Sequence, residues 1–437
     1  MSRRGPGLSE WLAERQQSLE EGNFQFSREL LSSSLEFVRA HSLPTRKDEE
    51  WRYTPLQRVQ AASSEEIGQK QISQAFIDPL KQASPEAQLI VLVDGRLNTD
   101  FSDSLQDQSS EGLSITPLSD ISREERTLAE GIISNSMLSD DNIFQHLSLL
   151  LTGSGLFIQV STNAEVPRPL HIVHISGASE GKGDSQPVMV LNSAENSRLT
   201  LIQQFVSLGE SPVLTIPAEY IHLNKHAALS TFKIGLEADH ADHISNSAVR
   251  LEESAQFENG QYLLGSSLSR WNTEISMNGS HCETRLRGVY KASGDKHLEV
   301  RTFVDHAQPE CRSDQQFRGV MENKGHGVFN GLVLVRKDAQ KTDAKQSNKN
   351  LLLSRDARVD TKPQLEILAD DVKCSHGATV GELDKDALFY LQTRGIGQEE
   401  AALMLTRAFV TEILDEIPIQ TLSDYVRNEF EKTLEGQ

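Results

Sequence analysis

Between residues 155 and 383 the chain repeats short β-rich runs separated by polar turns, among them LFIQV, LHIVHI, VMVLN, LTLIQQFV, AEYIHL, ALSTFKI, AVRLE, LEVRTFV and GVFNGLVLVR. No convincing long helix interrupts them. Without crossover helices a doubly wound α/β sheet is excluded, and a sandwich pair, a barrel or a β-solenoid remains. No fixed-period repeat is visible in the residue identities, so pattern alone does not choose among the three.

The flanks read as helix. Trp11 and Leu12 open one segment, and Leu30, Leu31, Leu35 and Val38 recur at helical spacing in SRELLSSSLEFVRAH before Pro44. After a polar run at 61–74, QLIVLVDGR reads as a short buried strand closed by Asp94-Gly95. NIFQHLSLLL carries a helical pattern, while the rest of 86–150 is mixed. At the other end DKDALFYLQTR stops at Gly395, and EEAALMLTRAFVTEILDEI stops at Pro418. In a last amphipathic helix, Leu422, Val426, Phe430 and Leu434 form one stripe opposite Asp424, Arg427, Glu429 and Glu431. Helices this short must bury their apolar faces on the β region or on a partner. The expected organisation is a helical domain at 1–85, a β core at 86–383 with a mixed lead-in at 86–150, and a helical domain at 384–437.

With 437 residues, 37% hydrophobic and 24% charged, the composition is that of a soluble globular protein. A net charge of −20, with 43 basic residues that gather into no block, argues against nucleic acid and anionic membrane surfaces as partners. No apolar run is long enough to span a bilayer, and the two arginines of MSRRGPG precede no apolar stretch, so a cytoplasmic location is expected. Three scattered cysteines, Cys282, Cys311 and Cys374, cannot build a disulfide framework and suit a reducing compartment. They are also too few for a self-contained iron–sulfur cluster, which commonly takes about four thiolates.

Cys374 and His376 in LEILADDVKCSHGATVG stand two residues apart in an apparent strand, so their side chains share one face about 7 Å apart. That is half a metal site, although a small buried cysteine beside a surface histidine is the commoner explanation of the spacing. Asp239, His240, Asp242 and His243 could gather around zinc or iron, or form a solvated turn. His222 with His226 and His171 with His174 lack a third ligand, and His281-Cys282 and the His306 to Cys311 spacing are equally incomplete. Trp51 and Tyr53 in RKDEEWRYTPL could anchor a partner, but rings of this kind more often pin a helical domain to its neighbour. No G-x-x-x-x-G-K-[ST] loop, G-x-S-x-G elbow or H-E-x-x-H helix is present, so no catalysis is visible.

Together PTRKDEEWRYTPL, VDHAQPECRSDQQFRGV, GVFNGLVLVRKDAQKTDAKQSNKNLLLS, KPQLEILADDVKCSHGATVGELDKDALFYLQTRGI and the Ala/Leu-rich closing helix resemble the SufD family along most of the chain. The related SufB chains would carry a further cluster-building cysteine and EHEA in place of CSHGA. The resemblance implies a right-handed parallel β-helix core flanked by N-terminal and C-terminal helical regions. It further implies a non-enzymatic scaffold subunit that pairs with SufB through the C-terminal strands of the core. The ATPase SufC would grip the C-terminal helices, for which Ala401, Leu405, Phe409, Val426 and Phe430 are the candidate docking residues. Sulfur would come from a cysteine desulfurase, and a transient cluster shared with SufB would form at His376, with Cys374 beside it. Two other readings compete: a β-helix enzyme acting on polysaccharide through Asp239, Asp242, Asp370 and Asp371, and a SufB-like homodimeric scaffold.

Overall fold

The computed structural model describes residues 8–14, 26–59, 72–137, 142–152, 155–177 and 184–435. Most of the polar run at 61–74 lies outside them. The β-rich region forms a parallel β-helix in which consecutive strands alternate between a ten-stranded and an eleven-stranded sheet. On one sheet the strands Leu268–Met277, His297–His306, His326–Val335 and Arg358–Ile367 pair in parallel, in register. On the other, Glu283–Ala292, Arg312–Met321, Asp343–Leu352 and Lys373–Gly381 do the same.

A coil therefore repeats every 26 to 33 residues, a period that the residue identities conceal. It is carried by backbone conformation. Asn196, His226, Ser254, His281, Glu310 and Lys341 each adopt a left-handed φ of 57° to 62° at the same turn of successive coils. Side-chain type varies freely there, because what the turn requires is a sharp reversal of direction. The next residue is in every case small and buried: Ser197, Ala227, Ala255, Cys282, Cys311 and Thr342. A fully buried corner of this kind has room only for a small side chain.

The inward faces fill one long core that includes Leu201, Phe257, Trp271, Tyr290, Phe317 and Phe329. Its first strand, Gln88–Val93, turns back through Asp94 and Gly95, with φ of 46° and 81°, as the two-residue hairpin that Asp-Gly favours. The mixed lead-in holds, besides the strands Gln88–Val93, Arg96–Leu97 and Leu113–Pro117, two helices. Ser122 and Glu125 form a reciprocal capping box that starts Arg123–Ser136, and Ile143–Leu151 follows.

The N-terminal helix Arg28–Ala40, capped by Ser27, packs with Trp11, Trp51 and Phe144 against the eleven-stranded sheet at Leu214, Ile244 and Leu268. Trp51 is buried, with the Arg270 guanidinium 3.9 Å above its ring, so this aromatic pins the helical region to the β-helix. Two C-terminal helices, Gln398–Leu414 and Gln420–Glu435, cover the ten-stranded sheet at Phe232, Ile234, Tyr262, Val289 and Val320. Arg287 fastens them through Glu416 at 2.5 Å, Lys291 through the Thr433 carbonyl at 2.9 Å, and Arg318 through Glu412. Among the described residues no helix is long and apolar enough to cross a membrane.

Candidate functional site

Coils in the middle of the β-helix are sealed above and below. The coil made of Arg358–Ile367 and Lys373–Gly381 is not, because each of its strands ends its sheet. Where the strands of the inner coils are largely buried, these two are half-buried or exposed. Ile367, Leu368 and Val380 stand 40%, 56% and 49% exposed. Both strands also leave one edge of backbone donors and acceptors unpaired, interrupted at Pro363.

Cys374 and His376 lie on the inward face of this last coil. Their parallel partners are Ala344 and Gln346, both buried and both facing the core. Cys374 is half-buried against the end of the core, and burial pushes its thiol up from the ordinary value. His376 is exposed. A thiol and an imidazole thus share one accessible face at the open end of the molecule, with Ala378 and Val380 beyond them.

The other candidate ligands are distributed differently. His243 is fully buried and hydrogen-bonds Glu237 at 2.7 Å, Asp242 accepts from the Leu268 amide at 3.1 Å, and Asp239 pairs with Lys296 at 2.7 Å. The Asp239 to His243 group is therefore engaged in separate contacts, and His240 lies in the turn between them. His171 and His174 bond Gln204 at 2.9 Å and Gln203 at 3.1 Å, and burial lowers both rings to about 4. His222 pairs with Glu252 at 3.4 Å, and His226 occupies one of the left-handed turn positions. Cys282 and Cys311 fill successive small-residue corners and donate to the same Gly279 carbonyl at 3.1 and 3.3 Å. The adjoining Cys311 sulfur and burial together push the Cys282 thiol up. Among the described residues, no three or more His, Cys, Asp or Glu side chains are grouped to hold a metal ion.

The carboxylates of the polysaccharide alternative do not converge. Asp239 and Asp242 precede or begin Ala241–Leu251, whereas Asp370 and Asp371 join the two strands of the last coil, four strands further along the sheet.

The five candidate ATPase-docking residues differ in accessibility. Ala401, Val426 and Phe430 are buried within the chain, the latter two against the β-helix, while Leu405 and Phe409 are half-buried. The apolarity of Ala401, Val426 and Phe430 is accounted for by the chain's own packing. The accessible apolar side chains are on the preceding helix Lys385–Thr393, which buries none of its residues and holds Phe389 and Tyr390 67% and 57% exposed.

Residues 174–409 match the SufBD core domain of the SUF system for FeS cluster assembly. The chain is 33% identical to the iron–sulfur cluster assembly protein SufD of Escherichia coli over 396 residues, covering 90% of each. It is 28% identical to the chloroplastic protein ABCI7 of Arabidopsis thaliana, over 91% of this chain and 84% of that one. The chain belongs to the SufD family of iron–sulfur cluster assembly proteins. SufD of Bacillus subtilis is more distant, at 24% identity over 72% of each chain. The SufBD core match includes the open coil, and the match to the Escherichia coli SufD covers most of the chain.

Proposed function

We propose that this chain is a non-catalytic scaffold subunit, one half of a heterodimer with a SufB-type partner, and that a nascent iron–sulfur cluster is assembled between the two at His376 and Cys374. The observation that carries the reading is the uncapped last coil. An exposed strand edge joined to an open apolar core is a surface that pairs with another β-helix, since continuing both sheets satisfies the backbone and covers Ile367, Leu368 and Val380. The half-site fits the same geometry. A thiol and an imidazole are soft or borderline ligands suited to iron, and two of them need completion from a second chain. The cluster is cargo here, with sulfur delivered by a cysteine desulfurase system and the cytoplasm as the site of assembly. The SufC-type ATPase docks on Lys385–Thr393 through Phe389 and Tyr390, at the hinge between the last strand and the packed helices.

Co-expression with the SufB and SufC candidates tests this. The three chains should elute as one complex, and iron and sulfide per complex should collapse in His376→Ala at unchanged melting temperature, with a milder loss in Cys374→Ala. Normal cluster content in His376→Ala removes the assigned role, and failure of that variant to assemble makes the histidine structural. Phe389→Ala with Tyr390→Ala should release the ATPase while the pairing of the two scaffold chains survives.

A further inference from the structure

Behind His376 lies a short file of amides. Gln346 is its register partner one coil inward, and Gln315 is the register partner of Gln346. Both glutamines are buried and both point into the β-helix. Thr302, from the opposite sheet, donates to Gln315 Oε1 at 2.7 Å, and Gln346 Nε2 approaches the same oxygen at 3.5 Å. Room for the Gln346 amide comes from Gly331, where a Cβ would lie 2.2 Å from its nitrogen. The amide is thus held from the inner side.

Its oxygen is unsatisfied. Gln346 Oε1 is buried with no hydrogen-bond partner, a condition that typically costs about 1–3 kcal/mol and that folded proteins avoid. The residue stacked on it from the open end is His376, whose ring carries a donor. A histidine that binds metal through one nitrogen generally donates the proton on the other to a carbonyl or carboxylate, which fixes the tautomer and the ring plane.

We propose that Gln346 is the positioning residue for His376: its buried amide oxygen accepts the ring N–H, so the second nitrogen is unprotonated and directed out of the open coil toward the cluster. The chain Thr302, Gln315, Gln346 orients that oxygen. Cys374 is held differently, because its inward partner Ala344 offers no side-chain acceptor and reaches the sulfur only through its backbone. This rests on the cluster-binding role of His376 proposed above, and its test can fail separately from that role.

The full chain, isotope-labelled in its histidine rings, is compared as wild type, Gln346→Leu and Gln346→Glu by nitrogen spectra that report which ring nitrogen is protonated, with His376→Ala identifying the resonances. Wild type should hold one dominant tautomer. Gln346→Leu should mix the two at unchanged melting temperature, and Gln346→Glu, which keeps an acceptor oxygen, should restore one. If Gln346→Leu folds poorly, Gln346→Met makes the same comparison with an unbranched chain. In the assembled complex the variant without an acceptor should bind iron about tenfold or more weakly, and Gln346→Glu should recover most of that. An unchanged tautomer ratio in Gln346→Leu overturns the proposal, and so does a mixed ratio with normal iron content. Normal cluster content in His376→Ala would instead overturn the reading beneath it, leaving the tautomer result intact.

Discussion

The middle of the β-helix and its open end use the same residue types to opposite effect. Inside, Lys233 pairs with Glu219 at 2.9 Å and donates to Ser247 at 3.0 Å, while Ser247 and Gln203 donate to the same carboxylate. Burial alone would raise Glu219, but the Lys233 ammonium and these hydrogen bonds hold it below its ordinary value. His243 is matched in the same way by Glu237, which also accepts from Thr215 at 2.7 Å. Every coil above and below these groups excludes water, so their polar chemistry is spent on each other. At the open coil there is no further strand to supply partners, and Cys374 and His376 are left available. Position along the axis, more than residue type, separates a structural histidine from a candidate ligand.

The strongest test of that contrast removes one member of the inner pair. Lys233→Ala leaves Glu219 charged in a dry interior, for which a loss of about 3–5 kcal/mol is expected by urea unfolding of the isolated chain. His376→Ala should change the same measurement by about 1 kcal/mol or less, the worth of one hydrogen bond at the rim of the open coil. Comparable losses in the two variants would abolish the distinction between closed and open coils.

A second test uses acid. His171 and His174 are buried neutral with folded values of about 4, against 6.5 for an exposed ring. In that interval the unfolded chain binds more protons than the folded one, so stability falls as pH drops from 6.5 toward 4, by up to about 1.4 kcal/mol per pH unit for each such ring. Unfolding free energies at pH 7.5 and 5.5 should therefore differ by roughly 2.7 kcal/mol for the pair. His171→Gln should flatten the dependence. An acid slope untouched by that substitution would show that the buried histidines do not govern it.

How much of this was legible in the sequence depended on what each feature requires of side chains. The β character of 155–383 was readable because inward faces must be apolar, and the stripe Leu422, Val426, Phe430 and Leu434 was readable for the same reason. What the stripe packs against was not. Apolar spacing reports burial without naming the covering surface, so Val426 and Phe430, read as part of an ATPase face, also pack against the chain's own β-helix. The coil period escaped notice because it resides in φ at Asn196, His226, Ser254 and their successors, whose identities share nothing. Helix Arg123–Ser136 was missed although Ser122 and Glu125 stood at capping-box spacing. The Cys374–His376 pair was visible as two ligands on one strand face, but its place at an open end was not, since a strand's own residues do not say whether another coil stacks on it. Gln346 carried one faint signal, the alternation of polar residues in AKQSNKN, which marks an inward face that is hydrogen-bonded instead of apolar.

The smallest expected effect concerns the other two cysteines, and it bears on whether thiols in the closed region contribute any chemistry. Cys282 and Cys311 follow left-handed residues at corners that Ala227 and Ala255 occupy in earlier coils, so alanine already fits this position in the same backbone setting. Cys282→Ala removes one sulfur from a tight corner together with its weak bond to the Gly279 carbonyl. The loss should be about 1 kcal/mol or less, because the cavity is small and no charged group is exposed. Iron and sulfide content of the assembled complex should stay at the wild-type level in Cys282→Ala, in Cys311→Ala and in the double variant, while Cys374→Ala lowers it. A fall in cluster content in either corner variant at unchanged melting temperature would give a closed-coil thiol a part in assembly. The separation of structural interior and functional end would then have to be redrawn to include the turn that stacks them.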